Sequence, residues 1–467
     1  MIAQLAVAFF LFLISTGVFF GITNNAQKEP YMDELFHVPQ AQQYCAGNFT
    51  KWDPMITTLP GLYIASLLPL YPIGFIFSKE DIASSCTPLL LRSTNILFSV
   101  GNLYLLYLTT YKLHYNKKNG GSVVLTALTL ATFPVLYFFT WLYYTDAGST
   151  FFSLLTYLCV LHKRHRSAAV CGLVAILFRQ TNVVWVMFGA GVTAGQVILK
   201  WLQLKKKEVE AGLSDELIFS KTLSLISQSL RYNPKLLVDL VFQIFKAVWC
   251  YAVVGLIFGL FVLINKGIVV GDRSNHEPCL NFPQIYYFIT ICAFFSFMHM
   301  VSILKVCNFI TFSVRHPIVT VTFFLFAVIF VSKFMYIHVY NLSDNRHYNF
   351  YFLSKIITRH EYAKFLLIPA YYYGFVVMWN LLQKRDLFWK LSYFICTVAC
   401  IVPQRMIEFR YFIFPYLLFR LNIPMASVKL LLAELAFYFS INALTVYAYA
   451  YKPFPWPNTP LPQRFMW

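Results

Sequence analysis

The residues able to do chemistry stand in a few polar stretches between long apolar ones. The first is Tyr31-Met32-Asp33-Glu34-Leu35-Phe36-His37. Asp33 and Glu34 are adjacent carboxylates, and mutual repulsion lets one of them keep its proton to higher pH than it would alone. That suits a general base working near neutrality. The same pair also suits a helix start after Pro30, where the helix dipole favours negative charge. His37 follows Asp33 by four residues, so on a helix the two share a face. It either orders a site or hydrogen-bonds a sugar there, or it is a loop histidine. Asp53 lies between Trp52 and Pro54. It is a candidate for sugar hydroxyls with Trp52 stacking beneath, or a turn aspartate.

Further candidates recur along the chain. Tyr143-Tyr144-Thr145-Asp146-Ala147-Gly148 sets Tyr144 and Asp146 at the lip of an apolar run, with Asp146 either a helix N-cap or a cavity carboxylate. Phe178-Arg179-Gln180-Thr181-Asn182 offers Arg179, whose fork of donors suits a phosphate unless it snorkels. Arg92, which opens another apolar run, reads as the snorkelling case. Asp344-Asn345-Arg346-His347-Tyr348 sets Arg346 and His347 among aromatic residues, a seat for a phosphate beside a sugar or else a solvated loop. Gln404-Arg405-Met406-Ile407-Glu408-Phe409-Arg410 supplies Arg410, with Glu408 as a pairing partner for an arginine. Gly271-Asp272-Arg273-Ser274-Asn275-His276 is less specific. No P-loop, GxGxxG, zincin helix or Cys/His metal spacing occurs, so no metal or cofactor is expected. A transferase built this way draws its donor from a membrane lipid.

The elements that position these residues are membrane helices. Only 12% of the 467 residues are charged and 59% are hydrophobic, against about 25% charged in soluble domains. Continuous apolar runs of about 17–25 residues exclude a β-barrel and predict an all-α polytopic bundle. Spans are expected near 2–23, 88–112, 122–142, 149–162, 168–178, 183–200, 246–265, 284–304, 316–337, 362–383, 387–404, 408–422 and 427–450. The first reads as a retained helix rather than a cleaved signal. The net charge of +18 reads as cytoplasmic loop lysine and arginine rather than a nucleic-acid surface.

The stretch 59–78 is long enough to cross but carries Pro60, Pro69 and Pro72. If it does not change sides, Lys112 to Lys118, His162 to Arg166, Lys205 to Lys207 and Lys384-Arg385 all share the cytoplasmic side. The polar motifs then share the lumen, with about 12 crossings. The chain reads as one multispan domain over 1–467, with 24–58 as first luminal loop and 201–244 as a cytoplasmic linker. Asn48-Phe49-Thr50 and Asn341-Leu342-Ser343 are glycosylation sequons, each weak evidence for a luminal loop. Cys45 and Cys86 both fall on the luminal side, but the sequence does not pair them.

Taken together, the Tyr31–Gln42 run, Trp52-Asp53-Pro54-Met55-Ile56-Thr57-Thr58, the motifs around Asp146, Arg179, Gly271, Arg346 and Arg410, and the terminal Gln463-Arg464-Phe465-Met466-Trp467 resemble one family. It is that of the endoplasmic-reticulum dolichyl-phosphate-glucose α-1,2-glucosyltransferases. The resemblance implies a GT-C type glycosyltransferase in the endoplasmic-reticulum membrane, with a luminal active site. Its partners are a dolichyl-phosphate-glucose donor and a diglucosylated dolichyl-pyrophosphate oligosaccharide acceptor, which receives the last α-1,2-linked glucose before transfer to asparagine. An acidic residue of the first luminal loop belongs at such an active site, and Asp33 and Glu34 match that position.

Inverting displacement then follows as an expectation. Asp33, or second Glu34, takes the proton of the acceptor hydroxyl. Arg346 and His347, then Arg179 and Arg410, steady the leaving phosphate. His37, Trp52, Asp53, Tyr144 and Asp146 are the substrate-binding candidates. A sister dolichol-dependent mannosyl- or glucosyltransferase is one alternative. A transporter or non-enzymatic regulator is another, although a transporter should show inverted repeats, which this chain lacks.

Overall fold

A computed structural model describes residues 2–77, 86–116, 119–205, 214–274, 277–457 and 459–467. Five of its helices are long and apolar enough to cross a membrane: Ile2–Ala26, Pro88–His114, Asn182–Leu204, Pro234–Asn265 and Val428–Tyr451. Ile303–Arg315 and Pro317–Lys333 form a sixth unit bent by 98° at Pro317. Six shorter apolar helices complete a polytopic all-α membrane bundle. Among the described residues the one small sheet is an antiparallel hairpin, Phe454–Trp456 with Thr459–Gln463.

Local signals set the helix ends. Pro88–His114 begins with Pro88 in its first turn, Thr87 accepting from the Leu90 N–H, and ends on Lys112 and His114, the residue types that suit each pole of the dipole. Pro88–His114, Asp146–Leu161 and His165–Phe178 pack as one layer. The helix that begins at Asn182 packs against Pro234–Asn265 and Leu387–Ile401. Val428–Tyr451 closes on Gly120–Ala131 and Ile2–Ala26. Phe133, Tyr416 and Tyr438 meet between them, all fully buried.

Several expected spans differ. The run 122–142 is not one helix. It stops at Ala131, restarts at Pro134 and is irregular beyond Phe138. Pro134 has no N–H to continue the ladder. The freed backbone is satisfied inside the protein: Asn442 donates to the Thr132 carbonyl, and Asn95 donates to those of Leu142 and Tyr144. Irregular backbone at membrane depth is tolerated only with such partners. The span expected at 246–265 starts earlier, at Pro234, so residues 234–244 extend that helix. Before it lies an amphipathic helix, Asp215–Tyr232. Lys117, Lys118, Lys206, Lys207, Asn275 and His276 lie outside the described residues. The run 284–304 is helical over Pro283–Phe295 and Phe297–Met300. The spans expected at 362–383 and 408–422 shorten to Ile368–Leu381 and Ile413–Asn422.

Thr57 and Cys86 flank the ambiguous segment 59–78, and both lie at the same end of the bundle. Gln180 donates to the Thr57 carbonyl, and Cys86 is disulfide-bonded to Cys45.

Candidate functional site

Asp33 stands just before the helix Glu34–Cys45. The residue before it, Met32, has φ 58°, the left-handed region that non-glycine residues seldom occupy. Strain of this kind, about 1–3 kcal/mol, persists where surrounding contacts enforce it. Here the Asp33 N–H donates to the Tyr144 hydroxyl (3.2 Å) and Arg410 Nη1 donates to Asp33 Oδ2 (3.1 Å).

The two adjacent carboxylates have opposite environments. Asp33 keeps 42% of its side-chain surface and lines two cavities. Glu34 keeps none of its surface. Its Oε1 accepts from Arg92 Nε and the Tyr143 N–H, and its Oε2 from Arg92 Nη2 and the Tyr31 N–H. Arg92 gives its remaining N–H groups to the Asn24 side chain and the Gln27 and Glu29 carbonyls. Arg92 is therefore no snorkelling residue: it is 1% exposed and locked to Glu34. Glu34 lines neither main cavity.

Two cavities meet at Asp33. The larger, about 670 Å³, is lined by Arg346, His347, Trp456, Trp467, Phe409 and Tyr144, among others. The smaller, about 370 Å³, is lined by His37, Thr57, Thr58, Gln180, Thr181 and Arg179, among others. Asp33, Tyr340, Met406, Glu408 and Arg410 line both. The carboxylate therefore stands at a waist open on two sides.

Arg410 is the hub of the charge network. Glu408 accepts from its Nε at 3.1 Å and lies 2.8 Å from its Nη2, Asp33 accepts from its Nη1 at 3.1 Å, and Asp146 lies 3.9 Å away. Its guanidinium lies over Phe139 and Tyr144, each 5.3 Å from the ring centre. Asp146 opens the helix Asp146–Leu161 and pairs with Arg179 at 3.3 Å. Its Oδ2 has no hydrogen-bond partner among the described residues. Arg346 is held by Asp344, with Nη2 2.7 Å from Oδ2, and by Gln463, and it stacks over Trp456 at 4.3 Å. His347 Nδ1 lies 3.2 Å from the Trp467 carbonyl. Four carboxylates thus face three guanidiniums.

Burial raises the pKa of Asp33, but Arg410, then His37 and His347, more than offset it and hold the carboxyl below its usual range. At neutral pH it is ionised and able to accept a proton. Burial pushes His37 down to about 4, so its ring is neutral. Its Nδ1 lies 2.6 Å from the Tyr63 hydroxyl.

Other sequence candidates are not brought to the waist. Asp53 makes the turn: its Oδ1 accepts from the Met55 N–H, while Gln40 accepts from its own. Trp52 donates to the Ile56 carbonyl and packs its edge on Tyr63. Neither lines the two cavities. Arg273 folds back on the Asn265, Lys266 and Val269 carbonyls, capping a helix end. Among the described residues no His, Cys, Asp and Glu side chains cluster in metal-binding number.

A family model described as the DIE2/ALG10 family matches residues 27–421. The chain belongs to the DIE2/ALG10 family. It is 43% identical to a mouse (Mus musculus) relative, across 98% of this chain and 97% of that one. A human (Homo sapiens) relative has the same identity and coverage. One from Arabidopsis thaliana is 33% identical over 96% of each. All three are named Dol-P-Glc:Glc(2)Man(9)GlcNAc(2)-PP-Dol alpha-1,2-glucosyltransferase. No solved structure matches.

This DIE2/ALG10 member also has site residues that single motifs did not mark. Tyr340 and Trp456 carry no sequence signal of chemistry, and Thr58 and Gln404 stand only at the ends of motifs that other residues marked; all four line the cavities. Asn341 did carry one, as a sequon. Its amide donates to the Ile407 carbonyl and accepts the Ile407 N–H, and the residue is 4% exposed. It is a brace for the segment carrying Glu408 and Arg410. Asn48, by contrast, is exposed.

Proposed function

We propose that this chain is the dolichyl-phosphate-glucose-dependent α-1,2-glucosyltransferase that adds the last glucose to the diglucosylated lipid-linked oligosaccharide. The observation that carries the reading is an ionised carboxylate, Asp33, open to two cavities and hydrogen-bonded to a guanidinium. The names of full-length relatives in the same family point the same way.

The reaction runs as one displacement. The 2-hydroxyl of the acceptor's terminal glucose gives its proton to an Asp33 oxygen. The hydroxyl oxygen bonds to the donor's anomeric carbon as the bond from that carbon to the phosphate oxygen breaks. The electron pair leaves with dolichyl phosphate, and a β-linked donor becomes an α-linked product. A general base contributes about 10²–10⁴-fold. The leaving phosphate gains charge and needs preorganised donors rather than an acid. Arg410 is next to the base, and Arg179, Arg346 and His347 flank it in the two cavities. When phosphate draws Arg410 away from Asp33, the carboxylate becomes more basic at the moment it is needed. Glu34 has no free lone-pair direction for this role, so Asp33 is the base.

The reading sets the chain in the endoplasmic-reticulum membrane with this end in the lumen. Helix polarity supports it: Asp146–Leu161 starts at the site and runs to the basic His162–Arg166 turn. The test is glucose transfer by the purified full chain in detergent, from dolichyl-phosphate-glucose to the diglucosylated acceptor, with the product linkage determined. An α-1,2 product is expected. No transfer with both substrates verified, or use of a mannosyl donor instead, would overturn the reading.

A further inference from the structure

We infer that the smaller cavity is the subsite for the acceptor's terminal sugar, and the larger one the seat of the donor's glucosyl phosphate. This rests on the function proposed above and says which side of the waist each substrate occupies.

An in-line displacement brings nucleophile and leaving group to opposite sides of one carbon. Two cavities sharing a single carboxylate supply two such sides. Their linings differ in kind. Beside Arg179, whose charge is paired with Asp146, the smaller offers hydroxyl, amide and neutral imidazole groups in Thr57, Thr58, Thr181, Gln180 and His37. These hydrogen-bond a neutral polyol. Among the described residues Thr58 Oγ1 is buried with no partner, and His37 uses only Nδ1, toward Tyr63. A buried polar atom left unmatched is costly unless a ligand matches it. The larger cavity combines Arg346 and His347 with Trp456, Trp467 and Phe409, a lining for an anion beside an apolar chain.

The surroundings separate them further. The wall of the larger cavity at Asn341 and Ser343, which the smaller does not share, adjoins exposed Val339 and Leu342, in the segment that follows Pro317–Lys333, which itself exposes Leu325 and Phe326. That is a lipid-facing side, from which a prenyl chain enters. The smaller cavity is roofed by two loops stitched together. The Val270 N–H donates to the Thr57 carbonyl (3.3 Å) and the Asp272 N–H to the Pro54 carbonyl (2.7 Å). Met55, Asp272 and Arg273 on this roof are exposed, toward water rather than lipid. An oligosaccharide carried in the lumen arrives from that side.

The test varies donor and acceptor independently for purified wild type, Thr58→Val and His347→Gln, and measures equilibrium donor binding for each. Both substitutions preserve shape closely. Thr58→Val should raise the acceptor KM about five- to tenfold, the loss of one hydrogen bond, with donor KM and donor Kd within about twofold of wild type. His347→Gln should do the reverse. A Thr58→Val enzyme with raised donor KM, or with neither KM changed, overturns the assignment. Wild-type transfer in the same experiment keeps this failure apart from a failure of the proposed function.

Discussion

Replacing each of the two adjacent carboxylates by its amide separates their roles. In Glu34→Gln the side chain keeps its shape but exchanges one oxygen for an amino group. Each Glu34 oxygen accepts two hydrogen bonds, one from Arg92 and one from a backbone N–H. Whichever way the amide turns, its amino group faces two donors. Arg92, 1% exposed, also loses the carboxylate it is paired with. Breaking a buried pair by removing one partner costs about 3–5 kcal/mol. At about 2 °C per kcal/mol for a large chain, Tm falls by about 6–10 °C. Asp33→Asn is a different perturbation. The residue is open to the cavities and its amide oxygen can still accept from Arg410, so Tm should stay within about 2 °C of wild type. The lost base lowers kcat by about 10²–10⁴-fold. Thermal unfolding in detergent and initial-rate glucose transfer, run on the same preparations, read both effects. Glu34→Gln that survives purification should keep a substantial kcat at low temperature. A stable Glu34→Gln enzyme with no turnover, or an Asp33→Asn enzyme with wild-type turnover, would refute this division of labour.

Further expectations follow from the same contacts. Because Arg410 is the foremost group lowering the Asp33 pKa, the acid limb of the kcat/KM profile should lie below the usual aspartate range. The base works when deprotonated, so activity is full above that limb and lost as pH falls through it. Arg410→Gln raises the pKa, and the limb should shift to higher pH, with kcat also reduced; an unmoved limb would detach Arg410 from the base. Gly271 has φ 66°, and a Cβ there would sit 2.3 Å from the Pro54 carbonyl oxygen and 2.5 Å from that of Ile56. Gly271→Ala should therefore part the two loops of the roof and raise the acceptor KM several-fold with little change in donor KM, as read by steady-state kinetics. Asn48→Gln should abolish any glycan-dependent gel shift, whereas Asn341→Gln should leave the shift intact and lower Tm, because Asn341 is buried against Ile407.

The sequence exposes the membrane class and most of the chemistry, for a physical reason. Charged and amide groups are so rare in the apolar runs that each one is visible, and the bundle brings Asp33, Asp146, Arg179, Arg346, His347 and Arg410 to one end. What a residue does there depends on its partners, and those come from far along the chain. Asp33 and Glu34 are neighbours with similar chemistry. They part only because Arg92, 58 residues on, reaches Glu34 while Arg410, 377 residues on, reaches Asp33. Arg92 looks like any arginine at a span end until the irregular backbone after Pro134 delivers the Tyr143 N–H to the same carboxylate. The break in 122–142 is thus tied to the choice of base: one unbroken helix could not present Tyr143 and Tyr144 to both carboxylates, one through a backbone N–H and the other through a hydroxyl. The local pattern reads as an apolar span, and the tertiary hydrogen bonds that make a broken one affordable are invisible to any window along the chain.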